Sequence, residues 1–175
     1  MAVFGRTCLV LGGARSGKSR FAEELVSRRS GPLVYLATAQ ARDEEMTRRI
    51  ADHRARRGDR WATREVPIDL APALAAEDEG SILLVDCLTL WLANLMEHEA
   101  DLDAAAEELC RVLTRTARPV VLVSNEVGLG LVPATPLGRR FRDAAGRLNQ
   151  QVAAVVDDVF FVAAGLPLRL KPRDE

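Results

Sequence analysis

The sequence is poor in aromatic residues and carries almost no net charge. Aromatic side chains make up 5% of the 175 residues, and the formal net charge is −1 at pH 7. A chain without a basic surplus has no general attraction to nucleic acid or to an anionic membrane surface. No apolar run approaches the roughly 20 residues that a membrane-spanning helix requires. We therefore expect neither nucleic-acid binding nor membrane insertion.

Cysteine is also scarce, and the 3 cysteines, Cys8, Cys87 and Cys110, form no closely spaced pair. Cys8 falls in an apolar run and Cys110 in a helical pattern, so we predict that both are small buried thiols in a reducing cytosol. A glycine-rich motif already begins at Gly12, which leaves no room before it for a secretory signal peptide. Together these observations predict a cytoplasmic protein.

The clearest motif is a glycine-rich segment that matches the phosphate-binding loop pattern: Gly, four residues, then Gly-Lys-Ser. Glycines allow successive backbone N–H groups to point at phosphate oxygens. Lys18 can reach the β and γ phosphates, and Ser19 offers a hydroxyl to Mg²⁺. An apolar run precedes the motif and an amphipathic pattern follows it, which is the strand–loop–helix context of a nucleoside triphosphate site. The residues of the loop are Gly12, Gly13, Ala14, Arg15, Ser16, Gly17, Lys18 and Ser19.

Apolar runs alternate with helical patterns along the rest of the chain. This alternation predicts an α/β fold of three layers, a phosphate-loop NTPase-like domain with a mostly parallel sheet. Gly165 turns the chain into a short final run, which we expect to be an antiparallel edge strand. There is no internal repeat and no clear linker, so we expect a single catalytic domain over residues 1–175. The predicted strands cover 7–11, 33–37, 61–66, 82–86, 120–124, 158–162 and 166–171, and helices are predicted over 70–79, 88–97, from 102 and after 136.

Polar residues follow several of these strands, at the edge where ligands bind in open parallel sheets. Asp86 ends an apolar strand, and a carboxylate in that position orients Mg²⁺ or its water shell. The segments Thr38–Gln40 and Asn125–Gly130 are further candidates for nucleotide contact.

A helical pattern over residues 43–57 carries several arginines around His53. Three interpretations remain open from the pattern alone: a solvated basic face, a local nucleic-acid patch, and an anion site beside the triphosphate. The nucleic-acid patch is disfavoured, because no aromatic ladder accompanies the arginines. His98 lies in an acidic stretch and is predicted to be exposed to solvent.

An ordered set of motifs extends from Leu9 to Lys171, and through it the sequence resembles the bifunctional adenosylcobinamide kinase / adenosylcobinamide-phosphate guanylyltransferase family of cobalamin biosynthesis. The most specific part is arginine-isoleucine-x-x-histidine, followed by tryptophan-x-threonine-x-glutamate. The family often has glutamate where this chain has Asp86, so the carboxylate is kept with a reach one methylene shorter. Besides the phosphate loop, the set comprises Tyr35–Gln40, Arg49–Arg54, Trp61–Glu65, Asp86–Thr89, Ser124–Gly128, Phe141–Asp143 and Asn149–Gln150.

The resemblance implies a two-step enzyme that uses GTP and ATP with Mg²⁺. It would phosphorylate the corrinoid adenosylcobinamide and then transfer GMP from GTP, carried on His53, to give adenosylcobinamide-GDP. It also implies a homotrimer, for which Trp91 and Leu131 are candidate interface residues. The implied catalytic residues are His53 and Lys18, the metal residues are Ser19 and Asp86, and the implied nucleotide contacts beyond the loop are Ala39, Gln40, Ala41, Arg54, Ala55, Arg56, Arg57, Glu65 and Asp86.

Two rival functions remain open. One is a plain small-molecule kinase in which His53 only binds phosphate, and the other is a nucleotide-driven switch or motor subunit. Nucleotide turnover stimulated by a corrinoid would separate the enzyme from the switch. Arg139, Arg140, Arg142 and Asn149 could face substrate, a neighbouring subunit or solvent.

Overall fold

The computed structural model describes residues 4–40, 44, 48 and 60–171. Within them, seven strands form one sheet in the order β3-β2-β4-β5-β1-β6-β7. Every neighbouring pair is parallel except β6 and β7, which form the predicted antiparallel hairpin. The strands are β1 (Thr7–Gly12), β2 (Leu33–Ala37), β3 (Trp61–Glu65), β4 (Ile82–Asp86), β5 (Val120–Asn125), β6 (Asp158–Ala163) and β7 (Leu166–Lys171).

Helices cover both faces of the sheet, so the predicted three-layer α/β fold is confirmed. Alternate residues of the central strands supply the two cores. Leu9, for example, belongs to the core under α2–α5, whereas Cys8 and Val10 belong to the core under α1. No helix in the described ranges is both long and apolar enough to cross a membrane. The helices are α1 (Lys18–Ser27), α2 (Leu70–Ala76), α3 (Leu88–Glu97), α4 (Leu102–Arg115) and α5 (Pro136–Val155).

Helix α2 is shorter than the sequence predicts. The sequence predicts a helix that reaches Glu79, but α2 ends at Ala76, and Glu77 already has extended backbone with φ −71° and ψ 155°. Arg118 explains the early end, because its guanidinium donates to the carbonyl of Leu74 at 3.1 Å and also to that of Glu77. A side chain 41 residues away in sequence therefore terminates this helix.

The three cysteines are free thiols in different environments. Cys8 is fully buried and Cys87 is 6% exposed, and burial raises the pKa of both thiols, that of Cys87 to about 11. Cys110 is only half-buried, so its prediction as a buried thiol was wrong. It lies on the partly exposed flank of the amphipathic helix α4, where partial burial still raises its pKa.

His98 and Trp91, both in the region of α3, differ in their exposure to solvent. His98 is exposed after the end of α3, as predicted. Trp91 is 2% exposed, and its indole N–H donates to the carbonyl of Ile68 at 2.6 Å. Trp91 is therefore a core residue, because its ring is enclosed and its one polar group is already paired.

Candidate nucleotide-binding site

The phosphate loop connects the end of β1 to the start of α1 and requires glycine at two positions. A Cβ atom at Gly12 would lie 2.5 Å from both Ser16 Oγ and the carbonyl oxygen of Val162. Gly17 caps α1 with φ +94°, and a Cβ there would lie 3.2 Å from the Cα of Gly165. The close approach at Gly12 and the left-handed backbone at Gly17 explain why the motif has glycine there.

Backbone hydrogen bonds from three directions hold the loop in place. Within the loop, the N–H of Ser16 donates to the carbonyl of Gly13 at 3.3 Å. The N–H of Glu126, after β5, donates to the carbonyl of Gly12 at 3.1 Å, and the N–H of Gly165, in the β6–β7 turn, donates to that of Ser16 at 2.8 Å. The loop is therefore fixed by the strand on either side of β1.

The side chains of the loop suit an anion. The Nζ atom of Lys18 donates to the carbonyl of Gly13 at 3.2 Å, so the ammonium group lies against the loop. Ser16 Oγ is buried and has no hydrogen-bond partner in the part of the chain that the structure describes. The positive end of the α1 dipole lies at the same place. An unsatisfied hydroxyl, an ammonium group and a helix N-terminus together form a cradle for phosphate oxygens.

Sheet register brings two predicted carboxylates onto the face of the sheet that carries α1. Ala37 pairs with Glu65 of β3 on one side and with Asp86 of β4 on the other. Residues opposite one another in a sheet project to the same face, and Ala37 packs against the core under α1. Glu65 and Asp86 therefore project on the side of the phosphate loop. Strand β5 lies between β1 and β4, which separates these two strands by about 10 Å.

Thr38 belongs to the opposite face and serves the fold. It is fully buried, and its hydroxyl accepts from the N–H of Cys87 at 2.8 Å and donates to the carbonyl of Cys87 at 2.7 Å. Asn94 of α3 donates to the carbonyls of Thr38 and Pro67, at 2.8 and 3.0 Å. Both bonding capacities of the hydroxyl are used, so the prediction of Thr38 as a nucleotide contact was wrong. It joins the ends of β2 and β4, where the Asp86–Cys87 peptide bond is cis.

A second buried network holds the end of β5, and sequence reasoning missed it. Ser124 Oγ donates to Asn149 Oδ1 at 2.7 Å and lies 3.4 Å from the hydroxyl of Thr89. Thr89 accepts from the N–H of Asn125 at 2.7 Å, and Asn149 donates to the carbonyl of Asn125 at 3.3 Å. These bonds resolve the open question for Asn149, whose side chain faces the protein interior.

The three arginines left open by the sequence have different surroundings. Arg139 donates to the carbonyls of Pro133 and Ala134, at 2.9 and 3.0 Å, and so braces the start of α5. Arg142 forms an ion pair with its neighbour Asp143 at 2.8 Å. Arg140 is exposed.

Part of the predicted site lies outside the described residues: His53, Ala41, Arg54, Ala55, Arg56 and Arg57. Ala39 and Gln40 are described, and both are half-buried just after the carboxyl end of β2. Of the helix predicted over 43–57, Glu44 and Arg48 are described, and both are helical and exposed. Arg48 Nε donates to the carbonyl of Glu44 at 3.2 Å.

Comparison with known protein families gives a match over nearly the whole chain. Residues 8–170 match the family model described as cobinamide kinase / cobinamide phosphate guanyltransferase. The bifunctional adenosylcobalamin biosynthesis protein CobP of Pseudomonas aeruginosa is 52% identical over 166 residues, which cover 93% of this chain and 96% of that protein. CobU of Escherichia coli K12, of the same description, is 38% identical over 179 residues, 93% of this chain and 98% of that protein.

Solved structures with much lower sequence identity share the fold. A protein of Pyrococcus horikoshii OT3 aligns with a TM-score of 0.60 at 12% identity, over 99% of this chain and 90% of its own. The flagellar accessory protein FlaH of Methanocaldococcus jannaschii aligns with a TM-score of 0.55 at 13% identity, over 98% and 80%. The type III secretion ATPase EscN of enteropathogenic E. coli aligns with a TM-score of 0.55 at 13% identity, over 91% of this chain and 43% of its own. These likenesses confirm the phosphate-loop NTPase-like architecture.

Proposed function

The chain belongs to the cobinamide kinase / cobinamide phosphate guanyltransferase family, and we propose that both of its activities use the phosphate loop at the carboxyl edge of the sheet. The observation that carries this proposal is the shared face: the loop, Asp86 and Glu65 all lie on the side of α1. A single nucleotide bound there would have its phosphates at the N-terminus of α1. Ala39, Gln40 and Glu65 lie at the ends of β2 and β3, beside the position that the rest of the nucleotide would occupy.

In the kinase step, the aminopropanol hydroxyl of adenosylcobinamide attacks the γ-phosphorus of GTP or ATP. The bond between the γ-phosphorus and the bridging oxygen breaks, the nucleoside diphosphate leaves, and the hydroxyl proton passes to solvent. The protein acts mainly by positioning and by charge, because phosphoryl transfer requires little covalent chemistry from the enzyme. Lys18 and the backbone N–H groups of the loop neutralise the β and γ phosphates.

In the guanylyl step, we assign the nucleophile to His53. A neutral imidazole nitrogen attacks the α-phosphorus of GTP, and pyrophosphate leaves. A phosphate oxygen of adenosylcobinamide phosphate then attacks the same phosphorus, the nitrogen–phosphorus bond breaks, and adenosylcobinamide-GDP is released. The cationic residues Arg54, Arg56 and Arg57 follow His53 in sequence. Such neighbours lower the proton affinity of an imidazole and stabilise the charge that develops on phosphate.

A magnesium ion fits the donor groups of this site. The hydroxyl of Ser19, at the start of α1, and the carboxylate of Asp86 are hard oxygen ligands, which Mg²⁺ prefers together with phosphate oxygens and water. In the described parts of the chain, no three His, Cys, Asp or Glu side chains cluster as metal ligands. When bound, the ion would neutralise phosphate charge in both transfers, with Ser19 and Asp86 as its protein ligands.

We also propose that the protein is a cytoplasmic homotrimer whose chain forms one catalytic domain. The free thiols agree with a reducing compartment. Leu131 is 97% exposed and remains a candidate interface residue, whereas the buried Trp91 offers no surface to a partner. The apolar side chains of Leu166, Leu168 and Leu170 on the edge strand β7 are also exposed. Light scattering at micromolar concentration should give the mass of three chains, and a monomer mass would contradict the assembly.

The test of the proposed function is incubation with adenosylcobinamide, GTP and Mg²⁺, followed by mass analysis of the products. We expect adenosylcobinamide phosphate first and adenosylcobinamide-GDP with pyrophosphate afterwards. Formation of the phosphate alone, with no use of GTP as a GMP donor, would favour a plain kinase. Nucleotide turnover that a corrinoid does not stimulate would instead favour a nucleotide-driven switch.

Asp86→Asn should lower turnover more than it lowers nucleotide affinity. The variant keeps the size of the side chain but removes the charge that holds the metal, and the charge of the metal matters most in the transition state. We expect a fall in kcat of about 100-fold, with the KM for nucleotide changed only a few-fold. Steady-state kinetics at saturating Mg²⁺ measure both constants. Unchanged turnover would make Asp86 a structural residue of the strand end.

A further inference from the structure

We infer that the side-chain amide of Asn125 contacts the terminal phosphate of the bound nucleotide and is a catalytic residue of the kinase step. This inference rests on the proposed function, because it requires the nucleotide to occupy the phosphate loop. It concerns a residue at the end of β5, which has no role in the chemistry described above.

Asn125 lies at the end of the strand next to the one that leads into the phosphate loop. Strand β5 lies between β1, which leads into the phosphate loop, and β4, which ends at Asp86. Asn125 pairs with Gly12, the first residue of the loop, and the next residue, Glu126, donates its N–H to the carbonyl of Gly12. Adjacent strands are about 4.8 Å apart. Asn125 therefore lies directly beside the loop, on the side that leads to Asp86.

The alternation of side chains along β5 determines the face of the sheet on which Asn125 projects. Along β5, Val121 and Val123 pack in the core under α1, whereas Val120 and Leu122 pack in the core under α2–α5. Ser124 continues the second set, since its hydroxyl donates to Asn149 of α5. By the alternation of a strand, Asn125 projects on the α1 face. Asp86 and Glu65 project on the same face.

The main chain of Asn125 is hydrogen-bonded to two neighbouring side chains. Its backbone N–H and carbonyl are both held, by Thr89 and Asn149, so the main chain at this position is fixed. Its side chain is half-buried, and the amide group makes no hydrogen bond to any residue in the described ranges. A rigid main chain thus presents two amide N–H donors that no described residue occupies. Binding groups held in this way stabilise charge without reorganisation during the reaction.

The terminal phosphate is the part of the nucleotide that this amide would reach. The loop N–H groups cradle the inner phosphates, and Lys18 reaches the β and γ phosphates. Asp86, at the end of β4, would hold a metal ion that neutralises the charge of the terminal phosphates, so we expect the γ phosphate on the side of the loop that faces β4. Asn125 occupies the strand between those two features. Its N–H groups would donate to a γ-phosphate oxygen and support the charge that develops there as the acceptor hydroxyl attacks.

The test compares two nucleotides that differ only in the terminal phosphate. GTP and GDP analogues with a methylene group between the α and β phosphorus atoms cannot transfer GMP, and without a corrinoid no phosphoryl transfer occurs. Calorimetric titration with Mg²⁺ should show that Asn125→Ala weakens the triphosphate analogue by about tenfold or more. The same variant should change the affinity of the diphosphate analogue less than twofold. Asn125→Asp should weaken the triphosphate analogue further, because its carboxylate repels the γ phosphate.

Activity and stability provide the second readout. Asn125→Ala should lower kcat for phosphorylation of adenosylcobinamide by about 100-fold or more and leave the melting temperature within a degree or two of wild type. Gln151→Ala, which removes an exposed amide from α5, is the matched control and should change none of these quantities. An equal loss of affinity for both analogues, or a large fall in melting temperature, would assign Asn125 to the fold and overturn the inference.

The outcomes separate this inference from the function on which it rests. A wild-type protein that binds both analogues but never phosphorylates adenosylcobinamide would contradict the proposed function, while the comparison of analogues would still decide the role of Asn125. A wild-type protein that binds neither analogue would overturn both.

Discussion

Incubation with GTP and Mg²⁺, in the absence of any corrinoid, should make the protein heavier by the mass of one GMP. We expect this because the proposed first half of guanylyl transfer, attack of His53 on the α-phosphorus, needs no acceptor. The adduct would be a phosphoramidate, which is labile in acid and survives alkali, unlike an ester to serine or threonine. His53→Ala should abolish the adduct completely, and intact-protein mass spectrometry measures it directly.

The chain offers a matched control, because its only other histidine is His98. His98 lies between Glu97 and Glu99 and is exposed after α3, where acidic neighbours would repel a triphosphate. His98→Ala should therefore retain the full adduct. The kinase step should survive in the His53 variant at least in part, since it uses the loop but no covalent histidine. A wild-type protein that forms adenosylcobinamide-GDP without any trappable adduct would show direct transfer instead.

Lys18→Ala should sharply weaken nucleotide binding and depress both half-reactions. The ammonium group of Lys18 lies against the loop, and hydrogen bonds to charged groups are worth about 1.5–3 kcal/mol each. Loss of one such bond lowers affinity about 10- to 150-fold. Calorimetric titration of wild type and variant with the non-transferable GTP analogue measures the change. Equal affinities would remove the phosphate loop from the active site.

The other lysine of the chain, Lys171, serves as the control for this experiment. Its ammonium group donates to the carbonyls of Ala153, Ala154 and Val156, at 2.9, 3.1 and 2.6 Å, and so caps the end of α5. This contact belongs to the amino-terminal edge of β6, away from the phosphate loop. Lys171→Ala should lower the melting temperature, because it leaves helix carbonyls without a partner, and should leave GTP affinity unchanged.

The sequence was sufficient to predict the strands and their class of fold because each central strand is a continuous apolar run. β4 and β5 are buried on both faces, and such strands are typical of a parallel sheet between helix layers. The conformation of the loop could also be predicted from its glycines. Close approach at Gly12 and positive φ at Gly17 would strain any residue with a Cβ atom.

What the sequence could not predict depends on contacts between distant segments. Thr38 follows a strand at the correct edge, yet the pleat places it on the face away from α1, and its partner Cys87 lies 49 positions along the chain. The end of α2 depends in the same way on Arg118. No local pattern reports which face a residue occupies until the register of the sheet is known.

The hydrogen bond between Gly165 and Ser16 affects when, during synthesis of the chain, the phosphate loop gains its support. All residues of the glycine-rich motif have been synthesised when less than one fifth of the 175 residues is in place. The hydrogen bond that braces the loop, however, comes from the turn between the last two strands. A nascent chain therefore carries the complete motif long before it has the support that shapes it. Competence for GTP should thus be acquired at the end of synthesis, which keeps an unfinished chain from taking up nucleotide.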